Sequence, residues 1–367
     1  MAGDNQQCSG PDHSLLRESK GIIRSLAYET GLLSCYRRFR NRSAVTVLLF
    51  HRVLPPDDPR WETADHRWTI SQTLFEDCIR FCVRHYKVIS MRELVESLDN
   101  HGDLPAHAML VTFDDGWSDN SQYAAPVLKK YLCPATIFVT AQAVDEENLW
   151  QDEICRRWKD GQLSPGVCQQ VWEAVGGGRK TPLGAWKELS SIFELTARLA
   201  GLPKGDRDRL VLILGVSRRS PIPEMLSSKE LRDLATSGIA IGCHGMTHTP
   251  IPFAIDQDEE LGLSRKRLQE ILAPIDEEPV FAFPHGRYNR AAVKAVRDHS
   301  YRALFTSDPT LNRSVSLTTV LGRINMDAAQ FVDASGKFCP ERLATWLWLR
   351  PTRAISETEI PERGNVG

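Results

Sequence analysis

Five apolar runs of this chain end in groups that can bind a metal or move a proton. VTVLLF (Val45–Phe50) is followed by His51, MLVTF (Met109–Phe113) by Asp114-Asp115-Gly116, and IAIGC (Ile239–Cys243) by His244 and His248; VFAFP (Val280–Pro284) leads into His285 and ALFTS (Ala303–Ser307) into Asp308. Asp114 and Asp115 are adjacent carboxylates, and two such groups cannot be buried together unpaired without a large desolvation cost. A divalent cation removes the conflict: one carboxylate binds it, and the other stays free as a base kept ionised by the nearby positive charge. Asp-Asp-Gly is also ordinary turn chemistry, so the pair alone leaves a capping loop open. In HGMTH (His244–His248) two imidazoles stand four residues apart, on one side of a helical turn or compact loop, with two structural histidines as the alternative. Taken jointly, two histidines and one aspartate leave a coordination position open to water, which is the donor set of a catalytic metal site. Such a site activates water and polarises a carbonyl oxygen, so it suits hydrolysis of an amide or ester.

The elements that position these residues follow from the hydrophobic periodicity. Short β-branched runs predict strands at Val45–Phe50, Lys87–Ser90, Met109–Phe113, Thr136–Thr140, Ile239–Gly242, Val280–Phe283 and Ala303–Thr306. Between them, helical spacing predicts Leu74–His85, Met91–Leu98, Tyr123–Leu132, Ser228–Ser237, Glu259–Leu272 and Arg290–His299. Alternating strands and helices imply a mostly parallel α/β sheet with right-handed crossovers, and about seven units suit a closed barrel better than an open sheet. Reactive groups then collect where the strands end. The rhythm breaks between about residues 144 and 224, a stretch with helical patches, a Gly176-Gly177-Gly178 hinge and four of the nine tryptophans (Trp150, Trp158, Trp172, Trp186). It reads as a helical insertion after the fourth strand.

The chain has 367 residues, 42% hydrophobic and 25% charged, the composition of an ordinary globular protein able to bury a large core without disulfide or metal staples. With 45 lysines and arginines against 47 acids, nothing points to a nucleic-acid partner. The nine cysteines are scattered, odd in number and without a C-x-x-C pair, as expected of reduced thiols. No secretory leader and no membrane-spanning run is recognised, so the expectation is a cytoplasmic protein. The segment Lys20–Arg42 sets six basic residues against Glu29 alone and carries Ile22, Ile23, Leu26, Leu33 and Tyr36. A helix lying on the inner face of a membrane, as a peripheral contact, and a helix packed on the barrel floor are both open. Trp346 and Trp348 near the carboxyl end read as a packed lid or a self-association face.

TFDDG (Thr112–Gly116), HGMTH and FPHG (Phe283–Gly286), in this order and at these separations, resemble the motifs of the polysaccharide deacetylases, carbohydrate esterase family 4, with the chitooligosaccharide deacetylase homology domain. LLFHRV (Leu48–Val53) is similar to the first strand of many bacterial members. The resemblance spans about Val45–Met326, apart from the insertion. It implies a distorted (β/α)7-type barrel at residues 45–326 with the insertion at about 144–224, preceded by a basic helical segment (1–44) and followed by a helix and tail (327–367). It also implies a divalent metal, usually zinc, held by Asp115, His244 and His248, with Asp114 as general base and the His285 amide after Pro284 as oxyanion donor. Pro284, Arg287, Tyr288 and Trp150 are the expected substrate-binding residues. Two departures stand out. The arginine that usually opens the third motif and orients the base is Ala282 here, with Arg287 or Arg323 as substitutes, and the late leucine-x-histidine that supplies the general acid has no match, which leaves His51 and His285 as candidates.

The expected activity is removal of N-acetyl groups from an amino-sugar-containing glycan or glycolipid precursor in bacterial polysaccharide biosynthesis. Two alternatives use the same residues differently: an O-acetyl esterase or cyclic imide or ureide hydrolase on the same fold, and a carbohydrate-binding protein without catalysis, suggested by the missing arginine and acid.

Overall fold

The computed structural model describes residues 13–100, 104–146, 148–177, 189–216, 222–313, 315 and 320–349. In chain order the strands are β1 (Thr46–Phe50), β2 (Arg52–Val53), β3 (Thr69–Ile70), β4 (Lys87–Val88), β5 (Ala108–Phe113), β6 (Thr136–Val139), β7 (Ala240–Cys243), β8 (Val280–Ala282), β9 (Ala303–Phe305), β10 (Val320–Leu321) and β11 (Ile324–Asn325). The main sheet runs β10-β9-β8-β7-β6-β5-β1-β11, with β4 also on β5, and every pairing is parallel. Its two outermost strands belong to one chain segment. Val320 and Leu321 pair with β9, and after Gly322-Arg323 the chain pairs Ile324 and Asn325 with Leu48 and Leu49 of β1. The sheet therefore curls on itself as the expected distorted β/α barrel, and the chain itself joins the edges. A separate parallel pair, β2 with β3, was not foreseen from the sequence.

Strand alternation sorts the core into two layers. Leu48, Phe50, Met109, Val111, Phe113, Ile241, Phe281 and Leu304 pack outward against the helices. Val47, Leu110, Phe138, Val280, Ala282, Ala303, Phe305 and Leu321 form the inner layer, joined by Met91, Leu94, Val95 and Leu98 of the helix Met91–Asn100. The surrounding helices start where local chemistry starts them. Ser71 accepts the Leu74 N–H ahead of Gln72–His85, Ser227 and Glu230 form a reciprocal capping box before Ser228–Thr236, and Asn289 caps Arg290–Asp298.

The insertion contains the helices Trp150–Lys159, Pro165–Ala174, Leu189–Ala200 and Lys204–Ile213 around a core of their own, including Trp150, Ile154, Val171, Trp172, Leu195 and Val211. Gly176 takes φ 75 where the second of these helices ends; Gly178 and Trp186 lie outside the described residues.

The basic segment forms two helices, His13–Glu29 and Leu32–Arg40, packed against the carboxyl-terminal helix Pro340–Leu349. Arg37 is buried here, donating to the His85 carbonyl at 2.5 Å and lying over the Tyr86 and Trp348 rings. The Arg42 carbonyl accepts the His107 N–H just before β5, so this layer covers the strand starts, the barrel floor. Trp348 is fully buried in it against Tyr28, Phe81 and His85, and Trp346 donates to the Asn325 carbonyl, so both tryptophans are packing residues. The outer face leaves Ile22, Ile23, Leu26, Leu32, Tyr36 and Phe39 exposed, Phe39 at 83%. No helix among the described residues is long and apolar enough to cross a membrane.

Candidate metal centre and active site

The inner row of β5 delivers the first carboxylate. Ala108, Leu110 and Thr112 alternate inward, and Asp114 extends the row by one further ladder bond, its N–H to the Phe50 carbonyl at 3.1 Å. At Asp115 the backbone turns into the left-handed region (φ 77) and Gly116 follows at φ 89. That break in alternation brings the second carboxylate to the same centre as the first. Gly116 is required, because a Cβ there would lie 3.1 Å from Val139 in an unfavourable conformation.

The histidines arrive from β7. Ile241 and Cys243 face outward, and Gly242 leaves inner space for Phe138, whose ring a Cβ would meet at 2.5 Å. His244 continues that inner row. Its Nδ1 lies 2.8 Å from the Ala282 carbonyl, which can only accept, so the proton is on Nδ1 and the Nε2 lone pair faces the centre. The loop to His248 is bent at Gly245 (φ 80) and at His248 itself (φ 62). The buried Glu260 accepts the Met246 and Thr247 N–H groups, at 2.8 and 3.2 Å, and the Thr247 hydroxyl. Sequence reading placed Glu260 in a helix but found no role for it, because nothing in the local pattern marks a glutamate as buried.

At the centre, Asp115 Oδ1 lies 3.4 Å from His244 Nε2 and 3.2 Å from His248 Nε2, while Asp115 Oδ2 accepts from Trp117 Nε1 at 2.8 Å. Asp152, from the insertion, has Oδ1 3.0 Å from His248 Nδ1 and 3.7 Å from His285 Nε2. These residues fit a divalent cation. Both imidazoles turn Nε2 to one carboxylate oxygen, the other nitrogen of each ring has an oxygen within 3.0 Å, and the ligand atoms of Asp115, His244 and His248 lie within 4.8 Å of one another.

Asp114 is paired bidentately with Arg323, both N–O distances 2.6 Å, on the segment that joins the sheet edges. Arg323 is fully buried, donates also to the Thr306 carbonyl and Thr112 hydroxyl, and lies over Phe138. It takes the place left by Ala282, whereas Arg287 lies over Phe193 of the insertion. Burial pushes the Asp114 carboxyl up, but Arg323 and His244 outweigh it and hold it below the usual carboxylate range. Burial pushes the Asp115 carboxyl up as well, but the His244 and His248 imidazoles beside it hold it well below the usual carboxylate range. Burial works against charge on His248, yet Asp152 and Asp115 overcome it and raise that imidazole. With His248 neutral, as a metal ligand must be, Asp114, Asp115 and Asp152 bring three negative charges against one positive from Arg323, an imbalance that suits a divalent cation.

His285 sits in the turn Pro284–Gly286 at φ 55, its ring 4.3 Å from His248 and 4.6 Å from Phe193. Burial first, then His248, drives its pKa well down, so it is a neutral imidazole at neutral pH. His51 packs against Trp68 and is lowered by burial, partly offset by Asp115 and Asp114. Pro284 is buried beside Gly245. Two expected substrate contacts are buried side chains. Trp150 is buried in the insertion core with Ile154 and Val171, beneath Arg207. Tyr288 is buried against Phe283, with its hydroxyl bound to Asp308 at 2.7 Å.

The model of the polysaccharide deacetylase family matches residues 101–304, more than half of the chain. A poly-beta-1,6-N-acetyl-D-glucosamine N-deacetylase of Staphylococcus aureus is 33% identical over 82 residues, 22% of this chain and 28% of that protein. The chain spans only about a quarter of the length of the curated relatives it matches. Among solved structures, the Streptococcus pyogenes deacetylase PplD in complex with acetate aligns with a TM-score of 0.53 at 17% identity, covering 83% of this chain and 99% of that one. A polysaccharide deacetylase from Bacillus cereus aligns at 0.52 and 16%, covering 83% and 69%. At these identities the structural likeness speaks for the fold.

Proposed function

Given that the chain belongs to the polysaccharide deacetylase family, we propose that it is a metal-dependent hydrolase removing N-acetyl groups from an amino-sugar-containing glycan or glycolipid precursor. The observation that carries this reading is the convergence of Asp115, His244 and His248 on one point, with Asp114 held ionised beside them by Arg323. Asp115 Oδ1 and the two Nε2 atoms would hold the cation, zinc being our assignment from the imidazole-rich donors, and its contribution when bound is Lewis acidity toward water and the acyl oxygen. Asp114 removes a proton from the attacking water, and Arg323 keeps it in the basic form and correctly aimed. The His285 peptide N–H offers a donor to the developing oxyanion. For the leaving amine, His51 or His285 relays the proton that Asp114 has taken, since burial keeps both imidazoles neutral and a neutral ring must accept a proton before donating one. The printed name of the Staphylococcus aureus relative supports an N-acetylated sugar as substrate.

Arg323 weakens the argument for a non-catalytic binding protein, since the function of the absent motif arginine has a source in the fold. The outer face of the first two helices, with Phe39, Leu32 and Tyr36 beside the exposed Arg38 and Arg42, fits peripheral contact with an anionic lipid surface. Co-sedimentation with anionic but not zwitterionic vesicles, lost in Phe39→Ser, is the expected outcome; equal recovery with both vesicle types would refute it.

The activity is tested by acetate release from a panel of N- and O-acetylated sugars, using protein stripped of metal and reloaded with zinc, beside Asp114→Asn. Zinc-dependent release from an N-acetyl sugar, abolished in the variant while zinc stays bound, is expected. Release only from O-acetyl sugars, or a fully active Asp114→Asn, would overturn it.

A further inference from the structure

Two histidines of the centre are oriented by different parts of the molecule. His244 is fixed by the Ala282 carbonyl, a barrel strand. His248 is approached from outside the barrel: Asp152 Oδ1 stands 3.0 Å from its Nδ1, a charge contact that lies off the line of a hydrogen bond, and the preceding Gln151, also buried, donates to the Thr247 carbonyl. Both residues belong to the first turn of Trp150–Lys159, the helix that opens the insertion. A later insertion helix, Leu189–Ala200, sends Phe193 against the His285 ring, and Asp152 also reaches to 3.7 Å from His285 Nε2. The insertion core does not require Asp152. Trp150 and Ile154 face that core, while Asp152 turns the other way toward the metal-ligand loop.

We infer that Asp152 is a positioning residue for the metal centre, so that cation binding and docking of the insertion on the barrel are coupled. The inference rests on the reading of Asp115, His244 and His248 as cation ligands. A carboxylate accepting the Nδ1 proton of an imidazole fixes its tautomer and ring orientation and directs the Nε2 lone pair at the cation; loss of such a partner typically weakens metal affinity about 10–100-fold. Coupling is reciprocal, so a cation that gains from Asp152 must in turn stabilise the docked insertion. The insertion is then part of the metal centre as well as a wall of the cleft.

The test is zinc affinity of the full chain, measured by competition with a chromophoric chelator, with no substrate present. Asp152→Asn, which keeps an acceptor oxygen, is expected to bind zinc about 10-fold more weakly and Asp152→Ala up to about 100-fold. Glu153→Gln, which alters the next residue and its pairs with Arg156 and Arg157, should stay within about twofold. As a second readout, zinc should slow hydrogen exchange in residues 150–159 of the wild type and leave it unchanged in Asp152→Ala. Unaltered zinc affinity in both Asp152 variants, with zinc protecting the 244–248 loop but not the insertion helix, would overturn the inference and leave the metal site standing. A wild type that binds no zinc would overturn both, and Asp115→Ala separates the cases because it removes a ligand directly.

Discussion

Arg323→Met removes the partner of Asp114 and leaves its carboxylate buried. The pair is bidentate at 2.6 Å, with side-chain exposures of 0% for Arg323 and 5% for Asp114, so water cannot replace the lost donors without opening the barrel. Removing one member of such a buried pair costs about 3–5 kcal/mol. We expect the lower end of that range, about 3 kcal/mol, at neutral pH. At 1.36 kcal/mol per pKa unit, the same loss raises the Asp114 carboxyl by about 2 units. The sign follows from its present state. Burial pushes that carboxyl up and Arg323 holds it down, so without Arg323 the ionised base is lost on descending through a higher pH, and the acidic limb of the rate profile moves toward alkaline pH by about 2 units. Urea unfolding and kcat/KM for acetate release between about pH 5 and 9 measure the two effects. The double variant Asp114→Asn/Arg323→Met should regain most of the stability and none of the activity, because it removes both buried charges and the base together. A loss below about 1 kcal/mol with an unmoved acidic limb would refute the assignment of Arg323 as the group that keeps Asp114 ionised.

Glu260→Ala strands the Met246 and Thr247 N–H groups that shape the histidine loop; at about 1–3 kcal/mol for each buried unsatisfied donor we expect about 3 kcal/mol lost and weaker zinc binding, with Glu260→Gln milder, both read by denaturation and chelator competition. Glu277 is raised by burial from 4.5 to about 7. The folded state therefore holds a proton that the unfolded chain releases, and stability falls as pH rises from about 4.5 to 7, on the order of 1 kcal/mol after screening at this half-buried site. Glu277→Gln should flatten that slope in unfolding curves taken across the same range. Gly242→Ala drives a methyl to 2.5 Å from the Phe138 ring and should cost about 1–3 kcal/mol by calorimetry, with Gly238→Ala, where a Cβ meets open space at φ 92, reporting backbone strain alone.

The sequence by itself determined the alternation of elements and the residues at the strand ends. Strand positions agree to within a residue or two, because runs buried on both faces have a composition that does not depend on what packs against them. Asp114, Asp115, His244 and His248 were legible for a related reason: a polar group directly after a buried strand must go where the strand points. For Trp150 and Tyr288 the sequence could not show their burial, because an aromatic side chain near a strand end serves packing as readily as a sugar, and only the neighbours decide. Arg323 lies 209 residues from Asp114, and Asp152 lies 96 residues before His248. No local period or spacing connects such pairs. Arg323 was one of two candidates until the curl of the sheet brought β11 beside β1 and set its guanidinium under the base. Asp152, right after the fourth strand, read as an acid that could hydrogen-bond a sugar until the insertion folded back on the loop. Tertiary structure alone could decide these contacts, because each is an electrostatic pairing between segments far apart in the chain whose strength depends on burial and on distances of about 3 Å.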